Sequence, residues 1–210
     1  MFPRELKELL DVYAEDDETS LFILSAEMPA DELSFIFNLS IPDINDLGPV
    51  DQIWRVTTRG YKTSRISFDH ADQFEILEDH PLLWDYSDVQ TELFFKGEIK
   101  EASKLLIDLF IVHQRLYKGY KPFPLVVEEN LNFFKPFQYS NGSLVKGSKK
   151  TLLEYGNVLK QNGVDFYLLG ERDPTYWTGF EFLPESKDLK LMLMQRSYLI
   201  ADDYTFEQLS

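Results

Sequence analysis

Histidine is the residue type in this chain best suited to acid–base or metal chemistry near neutral pH. The sequence contains three: His70, His80 and His113. Zinc and non-haem iron sites usually take two or three ligands from closely spaced positions, as in His-Glu-x-x-His, whereas these histidines stand ten and thirty-three residues apart. His113 also falls on an apolar stripe, four residues after Leu109 and three before Leu116. The pattern predicts a core histidine with one hydrogen-bonded nitrogen.

Two of the histidines, His80 and His113, would still form a site if the fold brings them together. His80 precedes Pro81 in an aromatic loop, and if that loop folds back, His80 approaches His113 and a carboxylate to form a metal or acid–base site. We therefore place the candidate site at the two ends of the segment 80–123, before and after its long helix. Aromatic side chains in loops also serve as interface anchors or as core residues. The candidate residues are His80, Trp84, Asp85, Tyr86, His113, Tyr117, Tyr120 and Phe123.

Other catalytic and phosphate-binding signatures are missing from the sequence. It has no Gly-x-Ser-x-Gly elbow, no P-loop and no Gly-x-Gly-x-x-Gly turn. Because there is no cysteine, thiolate nucleophiles, thiolate metal sites and disulfides are excluded. Glu92 is expected to face outward from a strand, and Asp108 to pair with Lys104 on a helix. We assign no catalytic residue and expect no cofactor, which favours a protein that is not an enzyme.

Three lysines lie close together near the predicted start of a helix: Lys146, Lys149 and Lys150. We predict that they form a basic patch; an anion-binding corner at the helix start is the alternative.

The negative charge of the chain is concentrated in its N-terminal part. Residues 1–90 contain 6 Lys/Arg against 20 Asp/Glu, a net of −14, and residues 91–210 contain 15 against 16, a net of −1. Between Lys7 and Arg55 there are twelve carboxylates and no basic side chain. Such a surface repels phosphates, so we expect no nucleic-acid binding there. The acidity either keeps the protein soluble or forms a face for a basic partner protein.

The hydrophobic pattern predicts an order of strands and helices along the chain. Val89–Phe95 alternates as a strand, and a long helix over 98–118 follows it, with a stripe so wide that the helix should be covered on more than one side. Two strands at 53–58 and 61–68 are predicted to form a hairpin at Arg59-Gly60. The remaining predicted helices are 3–14, 125–134 and one from Ser148 or Thr151 to about 162; the remaining strands are 21–26, 33–41, 74–77, 164–169, 180–183, 189–194 and 198–201, followed by an acidic tail.

Runs of strands, then helices, then strands again indicate an α+β fold. We expect a mainly antiparallel β-sheet covered by the long amphipathic helix, in one domain over 1–210; a subdivision into 1–123 and a smaller C-terminal α+β lobe at 124–210 is the alternative. The chain shows no signal peptide and no apolar run near the roughly 20 residues that cross a bilayer. A cytoplasmic protein that does not enter membranes is the expectation.

Three functions are consistent with these patterns. The first is a binding protein that engages another protein through its acidic N-terminal half or its aromatic loops; an immunity-type protein that neutralises a basic toxin is one version. The second is an enzyme with a cleft near His80 and the end of the long helix. The third is a self-associating structural subunit, a homodimer held by exposed aromatic residues.

Overall fold

A computed structural model describes residues 2–13, 20–28, 32–41, 50–71, 74–123, 140–186 and 188–210. The chain divides into two compact units. The first unit consists of residues 1–80 and 188–210, and the second unit consists of residues 81–187. The second unit is therefore inserted into the sequence of the first, and the C-terminal residues return to the first unit.

The described residues form an α+β fold in which every paired strand is antiparallel. A 3₁₀ turn covers Pro81–Leu83. In chain order the other elements are α1 (Arg4–Tyr13), β1 (Ser20–Glu27), β2 (Ser34–Ile41), β3 (Val50–Arg59), β4 (Thr63–Arg65), β5 (Glu75–Leu77), α2 (Trp84–Ser87), β6 (Gln90–Lys96), α3 (Ala102–Tyr117), β7 (Asn141–Ser148), α4 (Lys149–Gln161), β8 (Asp165–Arg172), β9 (Thr175–Trp177), β10 (Phe182–Pro184), β11 (Lys190–Met194), β12 (Ser197–Ala201) and β13 (Asp203–Gln208).

Two four-stranded sheets build the first unit, in the orders β1-β2-β3-β13 and β4-β12-β11-β5. The alternation along β2 buries every second side chain, so Phe35, Phe37, Leu39 and Ile41 face the core. Both sheets contribute to one hydrophobic core, to which α1 adds the fully buried Leu6. The strands at each end of the chain are thus held together by a shared apolar core.

The predicted hairpin at Arg59-Gly60 is wrong. β3 pairs with β2 and β13, whereas β4 pairs with β12, so the chain passes from one sheet to the other at Gly60. Gly60 has φ of 65°, and a Cβ there would lie 2.0 Å from Asp202 Oδ2. A glycine is needed at this crossing because other residues would be both strained and in collision. Alternation predicts strands but does not specify their partners.

In the second unit, α4 packs against all three strands of the sheet β7-β6-β8, and α3 packs against α4. The helix predicted over 98–118 begins later, at Ala102. Its buried residues recur every fourth position, and the side chains of Ile107, Phe110 and Ile111 are exposed. The expectation that this helix is covered on more than one side is therefore wrong, because its buried face is a single stripe.

The α+β class is confirmed, while one sheet covered by one long amphipathic helix is not. The described strands form sheets of four, two, four and three strands. The single domain and its division at residue 123 stay predictions. The helix expected over 125–134 lies outside the described residues. Within the described part of the chain, no helix is long and apolar enough to cross a membrane.

Candidate functional site

His113 belongs to the second unit and lies on the buried face of α3. Its side chain has no exposed surface, and both ring nitrogens are within hydrogen-bond distance of a partner. Nε2 lies 2.8 Å from the carbonyl oxygen of Lys121, which can only accept, so Nε2 carries the proton. Nδ1 is then the acceptor, and the Tyr155 hydroxyl donates to it over 2.7 Å. The geometry fixes one neutral tautomer, and it gives this core histidine two hydrogen-bonded nitrogens where the sequence predicts one.

Burial keeps both partners of this pair uncharged. Loss of solvent lowers the pKa of His113 below its ordinary value, and the positive charge of Lys121 lowers it further, against the carbonyl hydrogen bond that raises it. Burial likewise raises the pKa of the Tyr155 hydroxyl. At neutral pH the imidazole is neutral and the phenol is protonated, so each is in the state that the hydrogen bond requires.

A second set of buried hydroxyls joins α3 to the start of α4. The Tyr117 hydroxyl lies 2.6 Å from Thr151 Oγ1, which lies 2.8 Å from Ser148 Oγ. Ser148 is the N-cap of α4, and its Oγ accepts a hydrogen bond from the Thr151 backbone N–H at 3.3 Å. All three residues are buried, so their hydrogen bonds offset the cost of removing hydroxyls from water.

A small cleft opens beside these two networks. Asp85 and Lys121 form an ion pair at its side, and the Lys121 ammonium lies 5.1 Å from the centre of the Tyr117 ring. The free volume is about 80 Å³, lined also by His113, Ser148 and Thr151. Pockets that bind metabolites are usually roughly 300–1,000 Å³. The cleft therefore has room for a few water molecules, and its polar groups already bond to one another.

The start of α4 is not an open anion site. Its first three backbone N–H groups are donated to Val89 O at 2.8 Å, to Asp88 Oδ2 at 2.7 Å and to Ser148 Oγ. The Asp88 carboxylate thus occupies the position that a bound anion would take at a helix N-terminus. Lys149 and Lys150 also have partners within the protein. Lys149 forms an ion pair with Glu171 at 2.8 Å, and the Lys150 ammonium lies over the Trp84 ring.

The structure brings part of the predicted site together. Asp85, His113 and Tyr117 line the cleft, and the buried Phe123 packs against the His113 ring at 5.3 Å between centres. The side chains of Trp84, Tyr86 and Tyr120 are half-buried in the same unit. His80 belongs to the first unit, whereas the groups that bond to His113 all belong to the second. The site as a functional centre stays a prediction.

Sequence reasoning missed Lys121 and Tyr155 as partners of His113. The spacing of four between Thr151 and Tyr155 on α4 puts both on one helix face, but it does not show which helix that face meets. Ser148 was already one of two predicted caps, and the structure selects it over Thr151. The packing of α3 against α4, which brings these hydroxyls to His113, is a long-range contact with no local pattern. Asp108 also differs from expectation, because it accepts from Asn162 Nδ2 at 3.0 Å.

Exposed apolar side chains mark two further surfaces, one on each unit. On the first unit, Phe22 and Leu24 of β1 and the following Met28 are 40%, 53% and 54% exposed. On the second unit, a hairpin of β9 and β10 carries four exposed aromatic residues, and β8 adds two more exposed apolar residues; they are Tyr176, Trp177, Phe180, Phe182, Tyr167 and Leu169. Large exposed apolar groups in clusters are typical of binding surfaces.

Among the described residues, no three His, Asp or Glu side chains lie close enough to hold a metal ion together. Comparison with known proteins gives no relative for the chain. No family model, no curated protein and no solved structure matches it.

Proposed function

We propose that this protein is a non-enzymatic binding protein whose first unit engages a basic protein partner. The observation that carries the proposal is the division of charge between the units. The first unit contains 8 Lys/Arg and 22 Asp/Glu, a net of −14, while the second contains 13 and 14, a net of −1. A need for solubility alone would not require the charge to be collected in one of two units.

The apolar residues of β1 supply the contact that charge alone does not. β1 lies at the edge of its sheet in the part of the chain that the structure describes. Phe22, Leu24 and Met28 are exposed there, and the exposed Glu27 lies between the last two in sequence. Protein interfaces combine buried apolar or aromatic anchors with a polar rim. The partner that fits is a protein with an apolar patch surrounded by Lys and Arg.

The two parts of this surface have different roles in binding. The summed field of the carboxylates speeds encounter with a basic protein and falls steeply with salt. The apolar contact then slows dissociation, because its burial depends little on salt. Neutralisation of a basic toxin, in the manner of an immunity protein, is one version of this function.

An enzyme at the His113 cleft is the competing function. Its support is the polar cleft with a histidine, a tyrosine and a lysine–aspartate pair. The cleft is about 80 Å³, and each His113 ring nitrogen is committed to a hydrogen bond. These features favour a role for His113 in holding α3 to α4 over a role in proton transfer to a substrate.

The test begins with capture and ends with a titration. The immobilised full-length chain is exposed to a lysate of its source cells, bound proteins are eluted with a salt gradient, and the strongest binder is identified and purified. We expect a basic protein that elutes as salt rises. Retention of an acidic protein, or binding that is indifferent to salt, would contradict the proposal.

Matched variants then locate the surface by calorimetry with that purified protein. Neutralising three exposed carboxylates of the first unit, with Glu27→Gln, Glu75→Gln and Glu78→Gln, should weaken binding about tenfold at low salt, since exposed charge pairs contribute about 0.2–1 kcal/mol each. The control neutralises three exposed carboxylates of the second unit, with Glu98→Gln, Asp165→Asn and Glu181→Gln, and should change little. Equal loss in both triples would refute the assignment to the first unit.

A further inference from the structure

We propose that the β9–β10 hairpin and the exposed residues of β8 form a self-association surface, and that its occupant is a second copy of this chain. This surface belongs to the second unit, so the inference goes beyond the proposed function of the first. The hairpin surface consists of the exposed side chains of Tyr167, Leu169, Trp177, Phe180 and Phe182, because Trp177 and Phe182 share one face of the hairpin whereas Tyr176 points to the other.

The tip of the hairpin is ordered by its own hydrogen bonds. Thr178 N donates to Glu181 O at 3.0 Å, and Thr178 Oγ1 donates to the same carbonyl at 3.0 Å. The backbone N–H groups of Phe180 and Glu181 in turn reach Thr178 Oγ1 at 3.4 and 3.1 Å. Phe180 is nevertheless 93% exposed. A tip held in one shape presents its aromatic ring at a reduced entropy cost of binding.

The strands of the hairpin also hold their aromatic residues in place. Trp177 pairs with Phe182 across the two strands, and their ring centres lie 4.9 Å apart. Both rings keep more than half of their surface in solvent, at 55% and 68%. Cross-strand aromatic pairs stabilise a two-stranded ribbon. Here the same rings are left available to a partner.

β8, which lies at the edge of its sheet in the part of the chain that the structure describes, carries two further exposed apolar residues. Tyr167 stacks on Phe94 of β6 with ring centres 5.5 Å apart and planes 10° from parallel. Tyr167 and Leu169 point to the same side of β8, since they are two residues apart, and are 43% and 51% exposed. Exposed edge strands with apolar side chains favour pairing with another chain.

The area of the hairpin surface is enough for a dimer. With about 200 Å² for a large side chain, the exposed fractions of these five side chains add up to roughly 600 Å² on one copy. A twofold contact buries the same patch on both copies, about 1,200 Å² in total, which is the lower end of the roughly 1,200–2,000 Å² of stable protein interfaces.

Charge favours a face of the second unit over a face of the first for contact with a second copy. Two second units carry net charges of only −1 each, whereas two first units carry −14 each and repel one another. Carboxylates lie near the hairpin in sequence, at Glu171, Asp173, Glu181 and Glu185. They oppose binding to an anionic membrane, so a lipid surface is the less fitting occupant of these aromatic residues.

Sedimentation equilibrium of the full chain from about 1 to 200 µM tests the proposal, and we expect a dimer over this range or a monomer–dimer equilibrium within it. The double variant Phe180→Ser/Phe182→Ser should raise the dimer dissociation constant by about tenfold or more. The matched control, Phe110→Ser/Ile111→Ser, replaces two apolar residues of α3 that are also exposed, and it should leave the dimer intact.

Three outcomes would overturn the inference. They are a wild-type chain that stays monomeric at the highest concentration, a hairpin double variant with unchanged mass, and equal dissociation of the α3 control. A fourth is co-sedimentation of monomeric chain with phosphatidylcholine–phosphatidylserine vesicles in a hairpin-dependent manner, which would assign the surface to lipid. Circular dichroism of each variant confirms that the substitutions at these exposed positions preserve the fold.

Discussion

Among single residues, His113 shows most directly how burial sets a protonation state. It bonds to a carbonyl through one nitrogen and to a phenol through the other, and the loss of solvent lowers its pKa. A protonated ring would have to donate at both nitrogens, and Tyr155 would then have to turn its hydroxyl hydrogen away. The hydrogen bonds and the desolvation therefore favour the same neutral state.

This state makes the stability of the second unit depend on pH. In the unfolded chain His113 takes up a proton near pH 6.5, while the buried ring stays neutral to a lower pH. As pH falls through 6.5 the unfolded state binds the extra proton, so the free energy of unfolding decreases, by at most about 1.4 kcal/mol per pH unit for one group. The loss continues until the pH reaches the folded pKa.

Urea unfolding of the wild type and of His113→Gln at pH 7.5, 6.5 and 5.5 measures this dependence. The wild type should lose more stability between pH 6.5 and 5.5 than the variant, because glutamine does not titrate. His70→Gln is the matched control, since it removes an exposed histidine by the same substitution, and the difference between the two variants isolates the contribution of His113. A variant H113Q with the full wild-type slope would show that another group carries the dependence.

The core role of His113 could be predicted from sequence because helical periodicity reports burial. Its partners could not. Tyr155 is forty-two residues away along the chain and Lys121 acts through its backbone carbonyl, which carries no side-chain signal. The proposed approach of His80 depended on how a loop folds back, and loop geometry is not encoded in periodicity. Local patterns specify which residues are buried, while tertiary contacts specify what they meet.

At the scale of elements, Ser148 connects a strand, a helix and a buried network. It ends β7, caps α4, and shares a hydrogen bond with Thr151, which reaches Tyr117 on α3. Removing the Ser148 hydroxyl leaves the Thr151 backbone N–H without its hydrogen-bond acceptor. It also removes one hydrogen-bond partner of the buried Thr151 hydroxyl. Loss of an N-cap costs about 1 kcal/mol, and an unsatisfied buried polar group costs about 1–3 kcal/mol.

We therefore expect Ser148→Ala to lower the free energy of unfolding by about 2 kcal/mol. Ser103→Ala is the control, because Ser103 is exposed in the first turn of α3 and its replacement should stay within about 0.5 kcal/mol. Urea denaturation followed by circular dichroism gives both values. Similar small losses in the two variants would indicate that water replaces the Ser148 hydroxyl.

Elements with strong local signals can be predicted well, whereas their pairing cannot. Alternation identifies β2, and the capping residue identifies the start of α4. The sequence predicts an acidic tail where β13 lies, because its carboxylates mask an alternation in which Tyr204 is buried and bonds to two carbonyls. The turn at Gly60 resembles a hairpin because a tight glycine turn and a crossing between sheets have the same local composition.

The whole molecule combines two units of different electrostatic character, one strongly acidic and one almost neutral. The sequence alone shows that the negative charge is concentrated in residues 1–90. Only the structure shows that residues 188–210 belong to the same compact unit as residues 1–80, where β13 pairs with β3. Like charges confined to one unit repel each other and reduce its stability. Salt screens this repulsion, with a Debye length of about 10 Å at 0.1 M.

This asymmetry should make the two units respond differently to salt. Raising sodium chloride from about 20 to 300 mM should stabilise the first unit more than the second, since only the first has strong repulsion to screen. Amide hydrogen exchange measures both units in one sample. Backbone amides that are hydrogen-bonded between β2 and β3 should exchange several-fold more slowly at high salt, while the amides of β6 and α4 should change little.

The triple variant Glu27→Gln/Glu75→Gln/Glu78→Gln should reduce the salt effect in the first unit. Equal slowing in both units would contradict the prediction, because the two would then open as one cooperative structure and the charge division would have no separate energetic consequence.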